Sequence, residues 1–104
     1  MAWLLILVAG VLETAWAIGL KYSDGFSRVI PSILTVAAMA ASIGCLSIAL
    51  KSLPVGTAYA VWTGIGAAGT AVLGIYLFQE PATAVRLGSI ALIVTGIVGL
   101  RLTS

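Results

Sequence analysis

The chain has 104 residues, of which 62% are hydrophobic and 8% charged, with a formal net charge of +2. That is too apolar for a soluble domain of this length. The absence of histidine and the lack of room for a catalytic domain argue against an enzyme, and no run of basic residues points to nucleic acid.

A bilayer span takes about 20 mostly apolar residues. Four such stretches cover nearly the whole chain: Ala2–Leu20, Val29–Leu50, Val55–Phe78 and Ala82–Leu102. Residues 1–104 therefore read as a single all-α membrane domain. The lipid bilayer is its first partner.

The first stretch holds Glu13 in its interior. The other charged residues (Lys21, Asp24, Arg28, Lys51, Glu80, Arg86 and Arg101) fall at the ends of apolar runs. An ionisable group inside a span is costly, so its default reading is functional: a site for a cation, a proton, or both in turn. Ala15-Trp16-Ala17 imitates a signal-peptidase site, but no Lys or Arg precedes the apolar run, so a retained span is the better reading. Helical spacing places Ile6, Ala9, Gly10, Trp16, Ala17 and Leu20 beside Glu13. Trp16 offers an indole N–H to the carboxylate and a π face to a cation. An interfacial belt role is its plainer explanation. Its depth argues otherwise, because Glu13 lies roughly 16 Å from Ala2 by helical rise.

Lys21-Tyr-Ser-Asp-Gly-Phe-Ser-Arg28 then forms a turn, with Asp24-Gly25 at its centre and Pro31 in the first turn of the next helix. Span two carries Thr35, Ser42 and Ser47. Ser42 lies mid-span, where a hydroxyl either bonds back to its own helix or reaches a partner. Cys45 is alone, so it forms no intrachain disulfide and no metal framework; it reads as a packing residue, and no cofactor is expected.

Lys51-Ser-Leu-Pro54 leads into span three, which places Tyr59 and Trp62 on one face. Such a pair can bound a cation site, though packing is the commoner use. Gly64 and Gly66 weaken the helix and allow a bend, or else permit close helix packing. Gly69 and Gly74 read as packing positions. Gln79 to Arg86 connects to span four. Between Arg86 and Arg101 the chain rises only about 21 Å, short of the ~30 Å hydrocarbon core. Arg86 must snorkel, or the span must begin near Ala82. Ser89 and Gly96, with Gly88 and Gly99, mark a helix–helix seam, and hence a dimerisation element.

Short connections make the helices run up-down-up-down. Lys51 and Arg101 then lie on the side of the termini, and Lys21, Arg28 and Arg86 on the other. Three against two gives little orientational preference. Either the count is noise from few charges, or copies insert both ways and pair antiparallel. Four thin helices cannot enclose a cavity and also shield Glu13, so the chain is expected to bind a second copy of itself.

Glu13, the stretch Lys21–Arg28 followed by Pro31-Ser32, and Leu53-Pro-Val-Gly-Thr-Ala-Tyr-Ala-Val-Trp-Thr-Gly-Ile-Gly66 resemble small multidrug resistance transporters over the full length. Glu13-Thr-Ala-Trp-Ala17 and Gln79-Glu80-Pro81 resemble the guanidinium-exporting branch rather than the multidrug branch, which typically has a small residue where this chain has Trp16. The resemblance implies a bacterial inner-membrane protein acting as an antiparallel, dual-topology homodimer. Both Glu13 side chains would form a central site in which protons and guanidinium compete. Trp16 and Ser42 would be hydrogen-bonding partners of Glu13, Tyr59 and Trp62 aromatic walls and gate, and Gly64-Ile65-Gly66 a bend in helix three. The competing readings are an exporter of hydrophobic or quaternary ammonium cations, a rotor or channel subunit, and half of an obligate heterodimer.

Overall fold

The computed structural model describes residues 1–103. Four helices account for most of them: α1 (Ala2–Tyr22), α2 (Val29–Ala49), α3 (Val55–Leu77) and α4 (Ala84–Leu102). Each is long and apolar enough to cross a membrane, and no strand occurs among the described residues. The expected four-span, up-down-up-down arrangement is what the chain forms.

The boundaries differ from the sequence expectation by a few residues, for local reasons. Helix α1 continues to Tyr22 and is stopped by three consecutive left-handed residues, Asp24, Gly25 and Phe26 (φ 50, 70 and 66°). The buried Ser23 closes this turn. Its hydroxyl donates to the Leu20 carbonyl at 2.8 Å and accepts from the Phe26 amide at 3.2 Å. Helix α3 ends at Leu77, ahead of Gln79 at φ 56°. Helix α4 begins at Ala84, two residues later than Ala82, because Thr83 is its N-cap and its hydroxyl accepts the Arg86 amide at 3.2 Å. Capping of that kind satisfies one of the amide groups left free at a helix start.

Helix α1 is central, packed between α2 and α3, while α4 lies against α3. The result is a slab of 41 × 34 × 16 Å. One dimension is barely more than a single helix with its side chains. The small apolar core (Ile6, Ala9, Leu46, Ala49, Ala58 and Val61) sits where α1, α2 and α3 meet, towards the end that carries the termini. Close approach of α1 to α3 depends on Gly10, where a Cβ would run into the Ile65 side chain. In a bilayer such seams gain van der Waals packing, because lipid removes the hydrophobic drive between helices.

Helix α3 runs uninterrupted through Gly64-Ile65-Gly66. Both glycines lie at contacts: Gly64 faces Ile93 and Ile97 of α4, and Gly66 faces Glu13 of α1. Helix α4 is different. None of its residues is buried, and a Cβ on Gly88, Gly96 or Gly99 would meet nothing within 4 Å. Ser89 is exposed on the same helix and bonds back to the Val85 carbonyl at 2.8 Å.

Candidate functional site

Helices α1 and α3 run in the same direction, with Glu13 level with Gly66. The missing side chain at Gly66 forms the notch that receives the Glu13 carboxylate; a Cβ there would collide with Glu13 Oε1. Thr14, buried beside it, ties the two helices together. Its hydroxyl donates to the Gly10 carbonyl at 3.2 Å and lies 3.4 Å from the Gly66 carbonyl. Gly69 accommodates Thr14 as Gly66 accommodates Glu13.

Glu13 stands at the inner end of an open cavity of about 760 Å³. The α1 wall is Glu13, Trp16, Ala17, Ile18 and Lys21. The α3 wall is a strip of small residues and hydroxyls: Thr63, Gly66, Ala67, Thr70, Ala71 and Gly74. Phe78, Glu80 and Arg86 complete the mouth, on the side of the α1–α2 and α3–α4 connections. Glu13 Oε1 is buried and has no hydrogen-bond partner within the subunit, and the same holds for Trp16 Nε1. A buried acceptor without a donor is uncommon in a folded protein and calls for an explanation. Here that oxygen is pressed into the Gly66 notch, while the Glu13 side chain as a whole borders a cavity wide enough for a cation.

The family resemblance implied Trp16 and Ser42 as hydrogen-bonding partners of Glu13. Within one subunit neither is. Trp16 lines the same cavity one turn away, with its N–H unpaired. Ser42 is fully buried across the α1–α2 seam, where its hydroxyl donates to the Ala9 carbonyl at 2.7 Å. It also accepts from Trp62 Nε1 at 2.9 Å. Both of its bonds thus lie about one turn from Glu13, at the level of Ala9. Trp62 is held in that bond, and Tyr59 packs on it with ring centroids 5.5 Å apart and planes at 58°. The Tyr59 ring is otherwise exposed, and neither aromatic lines the Glu13 cavity of its own subunit. The five residues named from sequence therefore form two groups: Glu13 with Trp16 in the cavity, and Ser42, Tyr59 and Trp62 on the side nearer the termini.

Three features were not singled out in the sequence. Thr14 is one; only its adjacency to Glu13 marked it. Thr63 and Thr70 line the cavity from α3, and a seven-residue spacing was their only sign. The third is the pairing of Glu80 with Arg86 at the mouth. Arg86 turns back over α3, where its Nη2 also donates to the Ala71 carbonyl at 3.3 Å. Among the described residues no group of His, Cys, Asp and Glu is placed to hold a metal ion.

The family model described as Small Multidrug Resistance protein matches residues 1–93. The chain is 62% identical to a protein of Yersinia pestis named guanidinium exporter, over the whole of both sequences. Proteins of the same name from Proteus vulgaris (59% identical, the whole of both) and Citrobacter freundii (60%, the whole of this chain and 99% of the relative) are similar at full length as well.

Proposed function

We propose, given that the chain belongs to the Small Multidrug Resistance protein family, that it exports guanidinium in exchange for protons. Its four apolar helices and its Gram-negative relatives make it a multi-pass inner-membrane protein. The observation that carries the reading is the Glu13 side chain at the inner end of an open cavity, with one carboxylate oxygen buried against Gly66 and unpartnered, in a chain similar at full length to guanidinium exporters.

Guanidinium is planar, cationic and rich in N–H donors. A carboxylate binds it through two parallel hydrogen bonds, as it binds arginine. In the proposed working form two copies pair antiparallel, so that two Glu13 carboxylates clamp one ion. The slab is too thin to close the cavity alone, and a Cβ on any glycine of α4 would point into open space. Both features favour a second copy seated on the α4 face, with Ser89 and Gly96 in the seam. Trp16 lies against the site and narrows it. Ser42, Tyr59 and Trp62 of each subunit wall and gate it, and Gly64 and Gly66 give α3 the freedom to differ between the two copies.

Protons and guanidinium contend for the same oxygens. If the dimer changes its open side only when Glu13 is neutralised by one or the other, inward proton movement drives the cation out. In an antiparallel pair the two access states are related by symmetry, as in transporters built from inverted repeats.

The test is transport by the purified chain in proteoliposomes under a proton gradient. Guanidinium uptake driven by the gradient is expected, with little movement of tetraphenylphosphonium. The cavity volume would also admit a bulkier cation, and preferential transport of tetraphenylphosphonium would establish that second reading instead. Orientation is tested with single cysteines on a Cys45→Ala background. Mixing Ser89→Cys and Gly96→Cys subunits should crosslink more readily than either alone; crosslinking confined to like positions would show parallel pairing.

A further inference from the structure

The mouth of the Glu13 cavity carries a second carboxylate, and it already holds a guanidinium group. Glu80 Oε1 accepts a hydrogen bond from Arg86 Nη2. The carboxylate is seated against Gly74, where a Cβ would collide with Glu80 Oε1. Arg86 lies in the first turn of α4, where the helix dipole disfavours a cation. Its guanidinium is nevertheless drawn back into the cavity wall, and its Nε is buried without a partner.

Among the described residues, Glu80 is the only acidic side chain lining the cavity besides Glu13. Gly74 is eight residues beyond Gly66 on α3, so the two carboxylates are separated by about 12 Å of helical rise. The other charge at the mouth is Lys21, whose ammonium sits 5.9 Å from the centre of the Phe78 ring. Asp24 lies in the neighbouring turn, exposed and outside the cavity lining. A cation travelling between solvent and Glu13 therefore passes two fixed positive charges, and Glu80 is the one counter-charge on its route.

We infer that Glu80 is an outer guanidinium-binding site, on which the free ion replaces the tethered guanidinium of Arg86. This rests on the guanidinium-export reading above. The geometry favours exchange. Arg86 makes a single N–H···O bond to one oxygen of Glu80, whereas an untethered guanidinium meets a carboxylate with two. On release, the Arg86 head keeps its bond to the Ala71 carbonyl. The exchange keeps Glu80 paired, while Arg86 gives up its counter-charge at a partly exposed mouth, where water screens the released guanidinium. A cation lacking N–H groups gains no such bonds and is not favoured at this position.

Two measurements test the assignment on the full-length protein. First, the Arg86 Nε–H resonance of ¹⁵N-labelled Glu13→Gln protein in bicelles is followed during titration with guanidinium chloride, at constant ionic strength set with tetramethylammonium chloride. Its assignment comes from its loss in Arg86→Lys. A saturable shift is expected with guanidinium, none with tetramethylammonium, and none when Glu80→Gln is added. Second, transport kinetics of single variants should move in opposite directions. Glu80→Gln raises the guanidinium KM about two- to fivefold, the scale of a half-exposed ion pair, while kcat holds. Arg86→Gln, which frees Glu80, lowers KM. A merely structural ion pair would make both variants change alike, and that result overturns the assignment, as does an unmoved Arg86 resonance in the Glu13→Gln protein when the wild-type protein transports guanidinium. A wild-type protein inert towards guanidinium refutes the export reading, whatever Arg86 does.

Discussion

Glu13→Gln abolishes proton-driven guanidinium uptake while leaving the fold in place. The amide keeps the shape of the carboxylate and fills the same notch at Gly66. It cannot take up a proton, so the coupling element is lost outright. It also removes the charge from a site that would bind guanidinium by two charge-assisted bonds, each worth about 1.5–3 kcal/mol. The amide oxygen still accepts one bond, so the low end is the loss of the other, which at about 1.4 kcal/mol per decade predicts a loss of affinity of roughly tenfold or more. The measurement is uptake of labelled guanidinium into proteoliposomes under an imposed pH gradient, with binding followed separately in detergent. Retained coupled uptake would place the proton and substrate site elsewhere. Loss of uptake together with loss of the folded dimer would show a structural role instead.

Gly66→Ala and Gly69→Ala, three residues apart on one helix, should fail in different ways. At Gly66 the new methyl lands on the carboxylate and Cγ of Glu13. That side chain can swing aside into the open cavity, so the helices stay packed. The carboxylate is displaced, and misplacing a reacting group by about 1 Å costs on the order of a hundredfold in enzymes; a tenfold or greater loss of transport is expected here. At Gly69 the methyl meets Thr14, which is short, branched and bound to the backbone of its own helix. It has nowhere to go, so α1 and α3 must separate. The expected result is loss of stability, about 1–3 kcal/mol for overpacking of this kind. Thermal unfolding in detergent and transport, measured on both variants, separate the two. If Gly66→Ala transported normally, the notch would not be what positions Glu13.

Much of this was legible in the sequence because a bilayer allows few solutions. Every backbone polar group must be satisfied within the span, so four apolar stretches joined by short polar links could only become four antiparallel helices. Glu13 was conspicuous for the same reason, as an ionisable side chain where lipid makes one costly. Gly25 and Pro31 marked a turn and a helix start through backbone geometry alone. The Thr83 cap was overlooked, and it placed the start of α4 two residues late.

The site was legible only in part. Periodicity assigns a residue to a face of its own helix, but it contains no information about the register between helices. Helical spacing put Trp16 beside Glu13, and only the family resemblance put Ser42 there as well. Register separates them, since Ser42 lies opposite Ala9 and is occupied by Trp62. Gly66 read as a bend or a point of close packing, and the approach of α1 makes it the seat of the carboxylate. Glu80 and Arg86 read as loop and snorkelling charges, and the fold-back of α4 onto α3 joins them at the cavity mouth. Composition and hydropathy thus determined the number of spans, their order and the residue under greatest tension. Which groups meet was decided by the axial offset of packed helices, a property of three bodies of side chains in contact that no single helical pattern carries.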